Sequence, residues 1–157
     1  MPTKDNHLQP DQTSAGQKLY RLVQTIFRIL LGVFLSFTGI NHLTVARTEF
    51  LAQVPTWLPV NGDFVVVLSG IAEIALGLAL IFLVKQRKLV GLAVAAFFIL
   101  IFPGNISQYV NQIDAFGMNT DQARFNRLFF QPVLVLWALW STDAWHVFLP
   151  KQNKAIT

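Results

Sequence analysis

The sequence predicts an all-α integral membrane protein, a four-helix bundle with both termini on the cytoplasmic side. Three observations carry that prediction. Of the 157 residues, 54% are hydrophobic and only 13% charged, whereas soluble domains carry about 25% charged residues. The apolar residues gather into four runs, each close to the roughly 20 residues that cross about 30 Å of hydrocarbon. The basic residues sit in short clusters beside those runs, a pattern of membrane topology and headgroup contact.

Taken in order, residues 1–19 are polar, with Pro2, Pro10, Asp11 and Ser14, and are expected to form a disordered tail. The apolar run behind them is too long for a signal peptide and lacks a small-x-small cleavage site, so the first span is expected to be retained. The membrane domain is expected over residues 20–149, and a second short tail over 150–157.

Span one is expected over Leu22–Leu43. Arg28, Gly32, Gly39 and His42 share a narrow arc of it, with Ser36 nearby. The stretch Glu49–Pro59 is apolar enough to lie on the membrane surface or fold back over the bundle, and Pro55 and Pro59 would stop a helix around Trp57. Span two, Phe64–Val84, contains one ionisable group, Glu73. A carboxyl at that depth costs about 2.5–3.5 kcal/mol on insertion scales, so it faces protein or a cavity. Gly70, Glu73 and Gly77 stand at i, i+3 and i+7, a small-residue stripe where another helix approaches closely. The acid is therefore expected to point inward.

Lys85, Arg87 and Lys88 make a short basic turn. Span three, Leu89–Tyr109, is loosened by Pro103 and Gly104, which would free nearby carbonyls. Span four, Leu128–Phe148, carries Gln131 and Pro132 in its first turns. The N-terminal tail, the short turn and the C-terminal tail hold most of the basic residues; the other two connections are nearly balanced. The positive-inside rule then places both termini and the turn in the cytoplasm, with Trp57 and Trp145 at opposite interfaces.

The absence of cysteine excludes disulfide relays and iron–sulfur clusters built from this chain alone. His42 and His146 fall at opposite faces, about 30 Å apart, and cannot share one iron. No zinc spacing, nucleophile–base pair, phosphate loop or nucleic-acid patch is present, so no self-contained catalytic set can be named.

Two polar groupings remain. If spans one and two pack through their glycines (Gly32, Gly39, Gly70, Gly77), Arg28 lies about 10 Å in and Glu73 about 16 Å in, an offset a long guanidinium covers, and the two are expected to form an ion pair. Against this, Arg28 can snorkel to headgroups, and Glu73 can donate a hydrogen bond to a neighbouring carbonyl. At the outer end, Asn41, His42, Asn105, Gln108, Arg124, Arg127 and Gln131 converge from three spans and are candidates to line a polar mouth above Glu73. The competing reading is that helix ends are polar in any case.

The run Gly32–His42, the Val54-Pro55 and Leu58-Pro59 pairs, the element Ser69-Gly70-Ile71-Ala72-Glu73-Ile74-Ala75-Leu76-Gly77 and the run Phe102–Ile106 resemble the DoxX family from about Arg28 to the end of span four. The N-terminal and C-terminal tails and the loop around Phe116–Asp121 depart from that pattern. The resemblance implies a small bacterial inner-membrane four-helix bundle. Relatives of that family are implied to be subunits of quinone-linked sulfur oxidation, partners in oxidative-stress complexes, quinone or catechol resistance proteins, or a receptor-assembly factor. Asn41, His42, Glu73 and Asn105 match its recurring polar positions. The leading expectation is an accessory or quinone-interacting subunit working with an oxidoreductase. A bound quinone would be held by His42, Asn105 or Arg127 against Phe97, Phe98 and Phe102, with Glu73 relaying a proton. Alternatives are an assembly scaffold docking another membrane protein through its glycine seams, or a small-solute or proton path requiring a homo-oligomer.

Overall fold

The computed structural model describes residues 12–148, with side chains from Ala15 onward. The elements in chain order are α1 (Gln12–Leu43), α2 (Arg47–Leu51), α3 (Gly62–Phe82), α4 (Arg87–Val110) and α5 (Asp121–Ser141). Single 3-10 turns occupy Val84–Gln86 and Ala144–Phe148, and no strand occurs among the described residues. The fold is all-α, as expected. Three segments, Ala15–Leu43, Gly62–Phe82 and Val84–Val110, are long and apolar enough to cross a membrane. They overlap the first three expected spans, agreeing within two residues at Leu43, Gly62, Phe82 and Val110 and starting earlier at Ala15 and Val84.

Two boundaries move. Helix α1 begins at Gln12, inside the expected tail; once the downstream turns are packed, each further residue adds one hydrogen bond at little cost, and no proline intervenes after Pro10. The other expected tail positions, 1–11 and 150–157, lie outside the described residues. Helix α5 starts at Asp121 and not at Leu128, because the Thr120 hydroxyl accepts the Ala123 N–H at 3.2 Å and caps it, with Asp121 favourably placed in the first turn. It stops at Ser141, ahead of Asp143, whose φ of 64° cannot continue a right-handed helix. Hydropathy therefore misplaced this helix by about two turns, and its polar first half keeps it from matching the apolarity of the other three.

The four long helices form a ring in which α1 neighbours α3 and α5, and α4 neighbours α3 and α5. Antiparallel α1 and α3 meet along the expected glycines. A Cβ on Gly32 would lie 2.7 Å from the Gly77 carbonyl oxygen, and one on Gly39 would lie 2.6 Å from that of Gly70. Only hydrogen fits there. The seam is consumed inside the chain, so it does not offer the external docking face considered for a scaffold. Leu31, Leu35, Leu80, Val94, Phe98 and Ala138 fill the space between the helices. At the end holding the α3–α4 turn, Gln24 Nε2 donates to the Trp140 carbonyl at 2.8 Å, and Trp137 Nε1 to that of Phe27 at 3.0 Å.

Polarity is distributed the opposite way from a water-soluble bundle. Gln24, Arg28, Glu73, Asn105, Gln108 and Gln131 are buried, while Phe37, Phe82, Leu89, Leu100, Phe129 and Phe130 are exposed. Monomeric soluble proteins rarely expose a continuous apolar perimeter of this kind. The chain has the make-up of a membrane protein.

Candidate functional site

Glu73 is 5% exposed and faces the bundle interior. Its Oε2 lies 3.4 Å from His42 Nε2. The geometry follows from helix direction: Cβ atoms tilt toward each helix's own N-terminus, so on antiparallel helices a residue near the C-terminus of α1 and one further along α3 lean toward each other. The same rule explains why the expected Arg28–Glu73 pair does not form. Gly32 packs at Gly77 and Gly39 at Gly70, which sets Arg28 opposite Leu80, about two turns from Glu73, and the two side chains lean apart. Arg28, 4% exposed, instead donates Nη1 to the Leu80 carbonyl.

His42 is covered from the outer end. Its ring stacks on Phe50 of α2, with centroids 3.3 Å apart and planes at 19°. Phe50 meets Phe116 edge-on at 4.6 Å, and the Arg127 guanidinium sits 4.9 Å from the Phe116 centroid. The covering segments are tied down at both sides. Arg47 grips Asp63 through two hydrogen bonds of 2.8 and 2.6 Å, which holds its guanidinium above the usual range. The Glu49 carboxylate accepts the Phe116 N–H at 2.5 Å.

Arg127 also organises a network of four carboxamides. It donates Nε to Asn105 Oδ1 and Nη2 to Gln53 Oε1, both at 3.1 Å. An arginine can only donate, so both amides must present oxygen to it and turn their nitrogens away. Accordingly, Gln53 Nε2 donates to Gln108 Oε1 at 2.6 Å, and Asn105 Nδ2 to Gln131 Oε1 at 2.9 Å. Those two pass the direction on: Gln131 Nε2 donates to the Phe98 carbonyl at 2.6 Å, and Gln108 Nε2 reaches the carbonyls of Ile113 and Ala115 at 3.4 Å. One cation thereby orients every amide, and a low-dielectric interior strengthens such a chain. The Phe98 carbonyl is adjacent in sequence to that of Ile99, which Pro103 cannot serve.

Of the expected site residues, Glu73 joins His42, and Asn105, Gln108, Arg127 and Gln131 join one another. Asn41 does not join; its Nδ2 donates to Phe37 of its own helix at 2.9 Å. Arg124 turns instead to Asp114 at 2.6 Å and Asp121 at 2.9 Å, fastening the α4–α5 connection. Gln53, Phe50 and Phe116 went unrecognised in the sequence. The isolated polar Gln53 within an apolar interfacial stretch was the available signal. Beside the network, a groove of about 390 Å³ opens sideways between α4 and α5, walled by Ile99, Phe102, Pro132, Val135 and Leu136 and bordered by the buried Gln131, so that its exposed lining is almost wholly apolar. No three His, Asp or Glu side chains converge to hold a metal among the described residues.

The sequence matches the family described as domain of unknown function DUF8561 over residues 31–142. The chain belongs to the DUF8561 family. The DUF8561 stretch takes in Glu73, His42, all four carboxamides, Phe50, Phe116 and Arg127, and leaves Arg28 outside. No curated protein and no solved structure matches the chain.

Proposed function

We propose that this DUF8561-family chain is a four-span plasma-membrane protein with both termini cytoplasmic, akin to DoxX proteins, that holds a quinone-like ring as an accessory subunit in membrane redox or detoxification. The observation that supports this best is the lateral groove. Its volume lies within the 300–1,000 Å³ typical of small-molecule sites, its walls are apolar and its mouth faces the bundle's apolar perimeter. Gln131 lies buried at the base of the groove and uses one Nε2 hydrogen on Phe98; a ring pressed between the helices would meet the second with its carbonyl oxygen. A ring entering from lipid meets Phe102 and Ile99 on one side and Pro132 and Val135 on the other. When bound, a quinone would supply two-electron chemistry for a partner oxidoreductase; the chain's own groups bind and orient it.

This reading shifts the expected ligands. Asn105 and Arg127 act through Gln131 by fixing its amide, and His42 is enclosed beneath Phe50. A hydrogen-bond relay from the groove to Glu73 is not formed, because Phe50 and Phe116 stand between Arg127 and His42 and carry no exchangeable proton. Purification of the full chain in native lipid, followed by quinone analysis, tests the proposal. Quinone enriched over bulk lipid, falling about fivefold in Gln131→Leu and lost in Val135→Trp, which fills the groove, is the expected result. Quinone at the bulk-lipid ratio in all three preparations would refute it.

A further inference from the structure

The opposite end of the bundle holds a second cavity, of about 480 Å³, around the turn from α3 to α4. Val84, Lys85, Gln86, Arg87, Lys88 and Leu89 line it. Three cations stand against one carboxylate: Asp143 Oδ2 lies 3.7 Å from Arg87 Nη2 and 3.4 Å from Lys88 Nζ, while Oδ1 takes His146 Nε2 at 3.1 Å. Lys85 has no ion pair among the described residues. Asp143 thus orients Arg87 and Lys88 without neutralising the cavity, which keeps two uncompensated positive charges. The end of α4 facing the cavity has no side-chain cap and no acid in its first turn, so its positive dipole end adds to the same field. Immediately beside these charges Phe82, Leu83, Val84 and Leu89 are exposed. Cationic and exposed apolar groups therefore meet at one level.

We infer that this cavity binds a phosphate group of net negative charge, supplied by an anionic phospholipid headgroup or by free phosphate. The apolar collar and the guanidinium and ammonium groups above it suit a headgroup whose acyl chains run down Phe82 and Leu89. The site is remote from the α4–α5 groove and stands whether or not a quinone binds there.

The test uses the full chain in detergent, titrated with short-chain phosphatidylglycerol and, separately, with short-chain phosphatidylcholine, affinity being read by native mass spectrometry. Each cation near an anionic surface strengthens binding about fivefold, so two predict about a 25-fold preference for phosphatidylglycerol. Combined Lys85→Gln, Arg87→Gln and Lys88→Gln removes the preference. Asp143→Asn, which keeps a residue tolerant of positive φ, raises phosphatidylglycerol affinity about fivefold. Displacement of phosphatidylglycerol by an equal concentration of inorganic phosphate assigns the free anion as ligand, and resistance to it assigns the lipid; either outcome upholds the site. Equal affinity for the two lipids, or a preference that survives in the triple variant, overturns the inference.

Discussion

Replacing Gly39 with alanine puts a single carbon into the α1–α3 seam. That carbon would lie 2.6 Å from the Gly70 carbonyl oxygen, 2.8 Å from Ile74 Cγ1 and 3.0 Å from Glu73 Cβ. The first clash is with backbone, so no rotamer change relieves it, and the helices must separate by several tenths of an ångström. Overpacking of this kind costs about 1–3 kcal/mol, and a rigid backbone clash belongs at the upper end. Alanine returns about 1 kcal/mol of helix propensity, leaving a net loss of about 2 kcal/mol. For a chain of this size that is about 4–8 °C in melting temperature, measurable by thermal unfolding in detergent. Gly16 supplies the control: nothing lies within 4 Å of a Cβ there, so Gly16→Ala keeps only the propensity gain and should not destabilise. Equal melting temperatures for wild type and Gly39→Ala would refute the close-packed seam.

Arg127→Leu strips two hydrogen bonds and the cation over Phe116, and leaves the oxygens of Gln53 and Asn105 unserved; a loss of about 3 kcal/mol is expected, seen in the same unfolding assay, with Arg127→Lys recovering less than half because an ammonium lacks the two-pronged geometry. The lack of native cysteine makes topology directly measurable: the proposed orientation, with both termini cytoplasmic, predicts that single cysteines at Gln86 and Gln17 label with impermeant maleimide only from the cytoplasmic side, and cysteines at Thr56 and Gln112 only from the other.

How much of this was legible in the sequence depends on which physical signal carried each part. The inward face of Glu73 was legible because a lone acid in an apolar run, flanked by glycines at helical spacing, leaves one low-energy orientation. The Arg28–Glu73 pair was misjudged because depth counted along two separate helices ignores register, which the glycine contacts set, and ignores the opposite lean of the side chains. Helix α5 was placed late because its start is decided by the Thr120 cap and not by hydropathy. Asn105, Gln108, Arg127 and Gln131 were recognised as a group, but Gln53 and Phe116 were not. Those two lie in connections, where side-chain direction has no period to read, and only the fold-back of α2 and the α4–α5 connection brings them against Arg127. Arg124 and Arg127 illustrate the limit well. They share one helix face in sequence, yet three residues suffice to send one to the carboxylates of Asp114 and Asp121 and the other to amides.

The shelter of Glu73 is the central structural claim about the α1–α3 seam, and labelling with a lipid-soluble carbodiimide in native membranes addresses it directly. Mass spectrometry of wild-type protein should find Glu73 unmodified, and Gly39→Leu, which wedges the seam apart, should make it reactive. Modification of wild-type Glu73 as fast as in that variant would place the carboxyl among the acyl chains and contradict the account.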